Sequence, residues 1–413
     1  MMLMGYSHKV FEGFSWHSVF IVSTKVLAAV KMIVLARILE VSDFGLFSLA
    51  AIALGITEAT TQTGINITLV QSKKDITHFL DTAWIIAIIR GTGIGIFMMC
   101  LAVIMKNFYH EPKLLPIITL AAFVPFIKGF INPAIVGMQK NLSFFWDSVY
   151  RISLTAVDVT VAIFLALFFK SVFVLIIAML ASAIFEVAIS FFFFTDRPKF
   201  NYLPDRAKEI FGQAQWLNLS AILSYLQINL DNLMIGKLTA TASLGFYYNA
   251  YQISHTPNYE LAKSVHHSTL PVLSKISDDS IRLRNAFIKS CVVSLLVFTL
   301  ISAPLFIFPQ FTTWIFGSKW QNSVPLIRPL IIAGLVNSLA LITYTLWYAQ
   351  KKYRLLNTHL ALNILAMVIL IGVATPRWGL VGAAWAVTIS RLISLPLIGW
   401  GIYQTLLVRK HRV

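Results

Sequence analysis

Apolar runs of about 20 residues or more recur along the whole chain, each closed by a short cluster of polar residues, Gly or Pro. An α-helix rises about 1.5 Å per residue and the hydrocarbon core of a bilayer is about 30 Å thick, so runs of this length can cross a membrane. The pattern predicts twelve spans, at 15–39, 44–69, 79–105, 114–137, 145–169, 171–195, 209–236, 243–270, 285–309, 323–349, 355–374 and 379–407. The strict alternation of a membrane barrel strand is absent, and a backbone in lipid must satisfy its own hydrogen bonds, so the spans are expected to be helices. The expected fold class is an all-α polytopic membrane protein.

Composition agrees: of 413 residues 58% are hydrophobic and 12% charged, with a mean hydropathy of +0.77. The first run contains Lys25 and Lys31 and is too long for a signal-peptide core, so it reads as the first helix. Cys100 and Cys291 both fall in apolar runs, which leaves neither a disulfide framework nor a metal-ligand cluster. The 33 Lys and Arg are asymmetric: eighteen fall in the loops and ends on the side shared by both termini and six in the opposite loops. Cytoplasmic loops carry the excess of cations, so both termini are expected in the cytoplasm. Topology thus accounts for most of the net charge of +16, and no nucleic-acid partner is called for.

One short pattern occurs twice. LARILEVSDFGLFSLA at 35–50 and IGKLTATASLGFYYNA at 235–250 pair Arg37 with Lys237, Gly45 with Gly245, Phe47 with Tyr247 and Ala50 with Ala250. The offset of 200 residues is about half the chain and places the motif after helix one and after helix seven. An even number of spans between the copies gives two like-oriented six-helix bundles, 1–198 and 199–413, related by an axis along the membrane normal. The long connection TDRPKFNYLPDRAKEIFGQAQ at 195–215 is the natural joint. Two such bundles around a central cavity are the architecture of an alternating-access transporter.

Nine cations fall within or near the spans: Lys25, Lys31, Arg37, Arg90, Lys128, Arg151, Lys263, Arg328 and Arg391. Each costs about 2.5–3.5 kcal/mol at a helix centre, so each should face a partner or water. Asp147 with Arg151 at i,i+4 and Glu260 with Lys263 at i,i+3 have the spacing of salt bridges within a helix. Arg37 is near a helix end and can snorkel. Lys25, Lys31, Arg90 and Arg391 have no acid at helical spacing. The other acids in the spans are Glu58, Asp158, Glu186 and Asp231, fewer than the cations. The excess predicts an anionic cargo held by Lys25, Lys31, Arg90, Lys128, Arg151, Lys263, Arg328 and Arg391. Glu58, Asp158, Glu186 and Asp231 are the candidates for coupling to a proton or sodium gradient. No Gly-rich phosphate loop, no metal-spaced His cluster and no nucleophile beside a base is present, so no catalytic residue, metal or cofactor is expected.

VLARILEVSDFGLFSLA, the stretch LQINLDNLMIGKLTATASLGFYYNAYQISHTPNYELAKSV at 226–265, LPVLSKI after it, and FGSKWQNSVPLI at 316–327 resemble the polysaccharide transporter family. These are the O-antigen and exopolysaccharide flippases of the multidrug/oligosaccharidyl-lipid/polysaccharide flippase superfamily. The resemblance covers essentially the whole chain. It implies a bacterial inner-membrane protein that turns polyprenyl-diphosphate-linked oligosaccharide from the cytoplasmic to the external leaflet, beside a polysaccharide polymerase and a chain-length regulator. The physics is compatible: a diphosphate with its sugars needs a wet, positive path while the polyprenyl tail stays among membrane lipids. Lys and Arg bind phosphate by charge and forked hydrogen bonds.

Three rivals share part of this pattern. A multidrug cation exporter of the same superfamily would want acids for its cargo, and the chain is poor in them. A lipid II flippase is expected to have fourteen helices, two more than are counted here. A membrane-embedded polymerase or ligase would carry a large external loop, and the longest here has about a dozen residues. Trp16, Trp146, Trp314, Trp320, Trp378 and Trp400 fall near span ends, where an interfacial aromatic belt is expected. Pro125, Pro257 and Pro396 fall inside spans as kinks or hinges.

Overall fold

A computed structural model describes residues 20, 22–60, 74–140, 143–194, 196–211 and 218–406. All regular structure among the described residues is helical. The chain forms two compact units: unit 1 contains 1–40 and 50–218, and unit 2 contains 41–49 and 219–413.

Unit 1 holds helices α1 (22–38), most of α2 (Val41–Thr60), α3 (Leu80–Tyr109), α4 (Leu114–Ala121), α5 (Phe123–Lys128), α6 (Val136–Lys140), α7 (Phe144–Phe169), α8 (Phe173–Phe193) and α9 (Pro204–Phe211). The expected span 114–137 is broken into α4, α5 and a 3₁₀ turn at Pro133–Ile135. Pro125 and Pro133 each lack the N–H that a continuous helix needs. Helices α3 and α7 end on His110 and Lys170 in the left-handed conformation, at φ 55° and 33°, whose N–H groups bond back to Lys106 and Ala166. Helix α4 packs on α3 and α8, α5 on α3 and α8, and α7 on α8. The sequence divides the halves at 198/199, whereas unit 1 continues through α9. Ala207 joins a core cluster with Phe79, Ala83, Ile86 and Val136. Lys199 N donates to Asp81 Oδ1 at 2.8 Å and Leu203 N to Thr82 Oγ1 at 3.3 Å, fastening the linker to the start of α3.

Unit 2 holds α10 (Asn218–Leu238), α11 (Thr241–Ser254), α12 (Thr256–Lys275), α13 (Ser280–Ile307), α14 (Phe311–Phe316), α15 (Val324–Ala349), α16 (Tyr353–Ile393) and α17 (Leu395–Leu406). The span expected at 243–270 divides at His255, because Pro257 in the first turn of α12 cannot donate back into α11. The spans expected at 355–374 and 379–407 meet without a loop: α16 runs through both, with Gly379 at φ 59°, ψ −147° marking the break. Helix α15 is the axis of the unit, packed against α11, α12, α13 and α16. In it 67% of the most apolar stretch is buried, against 17% in the outer helices α7 and α13. Seven helical stretches among the described residues are long and apolar enough to cross a membrane, and the protein is a multi-pass membrane protein.

The aromatic belt needs one correction. Trp146, Trp314, Trp378 and Trp400 are exposed, as a belt requires, but Trp320 is 0% exposed and packs edge-on against Phe44 at 5.1 Å and Phe246 at 6.1 Å. It is a core residue of unit 2. Trp16 lies outside the described residues.

Candidate functional site

In unit 1 the candidate cations meet the candidate acids from different helices. Lys31 on α1 bonds Asp158 on α7, Nζ to Oδ2 at 2.7 Å, although 127 residues separate them. The other carboxylate oxygen, Asp158 Oδ1, is buried with no hydrogen-bond donor among the described residues. Lys128, the last residue of α5, lies 3.5 Å from Glu186 Oε2 on α8, and the Tyr150 hydroxyl of α7 donates to Glu186 Oε1 at 3.3 Å. Arg151 pairs with Asp147 one turn earlier at 3.0 Å, and its guanidinium also lies 6.0 Å from the Phe20 ring centre. Arg90 on α3 donates from Nη2 to the Glu58 carbonyl oxygen at 3.4 Å and feels the Glu58 carboxylate charge. Lys25 lies exposed on α1, six positions before Lys31.

These pairs are neither sealed nor fully solvated. Lys31 and Asp158 are 16% and 23% exposed, Lys128 and Glu186 45% and 16%. Each of these two cations is held by a carboxylate and keeps part of its surface exposed. A phosphate oxygen offers the same charge and better geometry to an ammonium or guanidinium than a single carboxylate oxygen does.

Unit 2 has a different character. Lys263 pairs with Glu260 at 2.8 Å and sits 4.8 Å from the Tyr259 ring centre. Arg328 is engaged by backbone: Nε and Nη2 donate to the Phe306 and Ile307 carbonyls at 3.1 and 3.5 Å, closing the C-terminal end of α13. Asp231 on α10 is 0% exposed; Oδ2 accepts from the Tyr247 hydroxyl at 2.6 Å, and Oδ1 from Asn232 N and Nδ2 at 2.8 and 3.1 Å. Arg391 on α16 is 1% exposed, and Nε, Nη1 and Nη2 have no hydrogen-bond acceptor among the described residues. Its charge acts on Asp231 and on Tyr247, Tyr251, His255 and Tyr259. Asp158 and Glu186 are thus paired with Lys31 and Lys128, and Glu58 and Asp231 feel the charges of Arg90 and Arg391.

The four rings at 247, 251, 255 and 259 were not singled out by charge counting. They repeat every fourth residue and stack along one face of α11 and α12, with centres 6.1, 4.3 and 5.8 Å apart. The i,i+4 recurrence of Tyr, Tyr, His and Tyr in YYNAYQISHTPNY is the signal that marks them. His266 bonds Thr345 Oγ1 through Nδ1 at 2.8 Å.

A family model described as a polysaccharide biosynthesis protein matches residues 34–325. The chain is 26% identical over 341 residues to the lipopolysaccharide biosynthesis protein WzxC of Escherichia coli (strain K12), covering 81% of this chain and 69% of that one. It is 19% identical to the teichuronic acid biosynthesis protein TuaB of Bacillus subtilis (strain 168), covering 80% and 69%. Among solved structures it resembles the lipid II flippase MurJ in an inward closed conformation, with a TM-score of 0.71 and 14% identity over 93% of this chain and 87% of that one. It also resembles an inward-facing multidrug resistance MATE family transporter of the MOP superfamily, with a TM-score of 0.70 and 13% identity over 94% and 96%.

Proposed function

From membership of the polysaccharide biosynthesis protein family, to which this chain belongs, we propose that the protein is a flippase for lipid-linked oligosaccharide. Its cargo is a polyprenyl-diphosphate-linked unit turned across the bacterial inner membrane by alternating access. Both termini face the cytoplasm, a reading supported by the three-to-one bias of loop cations. The role is transport, with no chemical step, and a polysaccharide polymerase and chain-length regulator act on the delivered units. O-antigen and exopolysaccharide are the products this delivery would serve.

The observation that carries this reading is the set of half-buried, acid-held cations in unit 1. The diphosphate takes the cations at Lys31, Arg90, Lys128 and Arg151, with Lys25 beside them, competing with the carboxylates paired to Lys31, Lys128 and Arg151. Lys263, Arg328 and Arg391 are the unit 2 members of the cationic set. Displacing a carboxylate from its cation links cargo binding to the partner of that acid, which gives Glu58, Asp158, Glu186 and Asp231 their place as candidates for ion coupling. A cation exporter fits less well, because Asp158 and Glu186 are already paired with protein cations and Glu58 and Asp231 feel the charges of others. Deleting the gene in a strain without a redundant flippase should leave lipid-linked units accumulating on the cytoplasmic leaflet while their synthesis continues. Normal surface polysaccharide in that strain would count decisively against the proposal.

A further inference from the structure

Two polar turns of unit 2 are fastened together. The turn between α12 and α13 is shaped by Asp279, whose Oδ1 accepts from Ile281 N and Arg282 N at 3.1 and 3.0 Å and caps α13. Helix α15 ends with Lys351 in the left-handed conformation at φ 55°; its N–H returns to the Tyr348 carbonyl, and the Lys352 N–H to the Trp347 carbonyl. Gln350 Nε2 donates to the Ser277 carbonyl at 2.9 Å and so joins the two turns. A left-handed position favours Gly, yet this one holds an exposed Lys.

The joined surface is strongly basic. Residues 275–289 contain four Lys and Arg and residues 350–354 three more, against Asp278 and Asp279 alone. Asp279 already serves as the cap, and its 3.1 Å pair with Arg282 leaves that side chain 78% exposed. Membrane orientation asks for cations on this side but not for so large an excess. The linker at 196–209, expected on the same side, sets four cations against three acids.

The place of this charge on α13 is a second, independent observation. At 3.6 residues per turn, Arg282, Lys289, Val293, Leu296 and Leu300 fall in a stripe about 60° wide. All five are exposed, on a helix whose most apolar stretch is only 17% buried, so the stripe faces lipid. Lys289 stands one turn beyond Val293, where its stem can follow the hydrocarbon while its ammonium reaches the headgroup phosphates. Tyr353, exposed beside the joined turns with its ring centre 5.9 Å from that of Tyr348, is the amphipathic kind of side chain that the interface favours.

We propose that this corner of unit 2 is a binding site for anionic phospholipid, its headgroup phosphate taken by Arg282 and Lys289 and drawn in by the cations of the joined turns. A lipid fits better than a soluble anion because both phosphate ligands stand on the lipid-facing stripe of α13, and its acyl chains then lie along Val293, Leu296 and Leu300. The inference needs a membrane-spanning chain but no particular cargo, so it stands apart from the flippase reading.

The test places bimane on Ile281→Cys in the full chain lacking Cys100 and Cys291, reconstituted in phosphatidylcholine vesicles. Phosphatidylglycerol or phosphatidylcholine carrying a nitroxide high on one acyl chain is added in equal amounts, and the phosphatidylglycerol should quench more strongly. Each cation near an anionic surface is worth about a fivefold change in lipid partition, so Arg282→Gln with Lys289→Gln should raise the concentration for half-maximal quenching about 25-fold. Arg282→Lys with Lys289→Arg should retain the preference, which separates lost charge from lost folding. Arg197→Gln with Lys199→Gln, on the linker, should retain it as well. Equal quenching by the two lipids overturns the site, and so does a preference that survives Arg282→Gln with Lys289→Gln. A preference lost equally in the linker variant would make it a property of the loop charge as a whole and also overturns the site. Inorganic phosphate at constant ionic strength should leave the quenching in place; its displacement of the lipid would assign the corner to a soluble anion instead.

Discussion

Reversing the Lys31–Asp158 pair separates a cargo ligand from a brace. At 2.7 Å the two charges attract by about 6 kcal/mol in an effective dielectric of about 20, and desolvation cancels much of this. Breaking a buried pair from one side costs about 3–5 kcal/mol and breaking an exposed one under about 1 kcal/mol. At 16% and 23% exposure this pair lies between those limits, so Asp158→Ala is expected to destabilise by about 2–3 kcal/mol. Lys31→Ala should cost about as much, and the double variant little more than either single one, a coupling of about 1.5–2.5 kcal/mol. The reversed pair, Lys31→Asp with Asp158→Lys, should recover part of that stability because the charges can meet again. It should not recover transport, because the cation no longer stands on α1. The assay is unfolding in detergent followed by monodisperse recovery, alongside transport per folded molecule in cells. Wild-type transport by the reversed pair would refute the reasoning and leave Lys31–Asp158 as a structural brace.

Asp231→Asn should lower abundance in the membrane, because it weakens three hydrogen bonds and leaves Arg391 buried without its opposing charge. Adding Arg391→Met should restore part of it, measured by fluorescence-detected size exclusion; no recovery would show that the two charges do not compensate each other. Trp320→Ala should cost about 3–5 kcal/mol from the cavity left at a 0% exposed site, whereas Trp314→Ala at 74% exposure should change stability little. Thermal unfolding of the two variants compares them directly. Single Cys at Ser277 should be labelled by an impermeant reagent only from the cytoplasmic side, and Cys at Ser171 in intact cells. The opposite result at either position would invert the topology.

The helical class and most spans were legible because lipid imposes a length and an apolar composition on any crossing segment. The intrahelical pairs Asp147–Arg151 and Glu260–Lys263 were legible too, since helical spacing alone brings them together. Lys31 with Asp158 and Lys128 with Glu186 were not, because their meeting depends on which helices pack, and nothing local encodes it. Membrane helices hide this more than soluble ones: lipid is as apolar as a protein core, so a residue's hydrophobicity does not reveal which face turns inward. Trp320 shows the same limit, its position near a span end fitting a belt residue equally well. The repeat at 35–50 and 235–250 was visible as sequence, but that its two glycines meet needed the fold.

The central claim is movement of a lipid-linked diphosphate across a bilayer, and reconstitution tests it most directly. Purified protein in liposomes carrying a fluorescent polyprenyl-diphosphate oligosaccharide would be challenged with an external reagent that modifies only outward-facing sugar. A faster loss of the protected inner-leaflet pool than in empty liposomes is predicted, accelerated by a pH gradient and slowed by Lys31→Ala with Arg90→Ala. A protected pool that stays constant, with folded protein present and a pH gradient of either direction, would contradict the account.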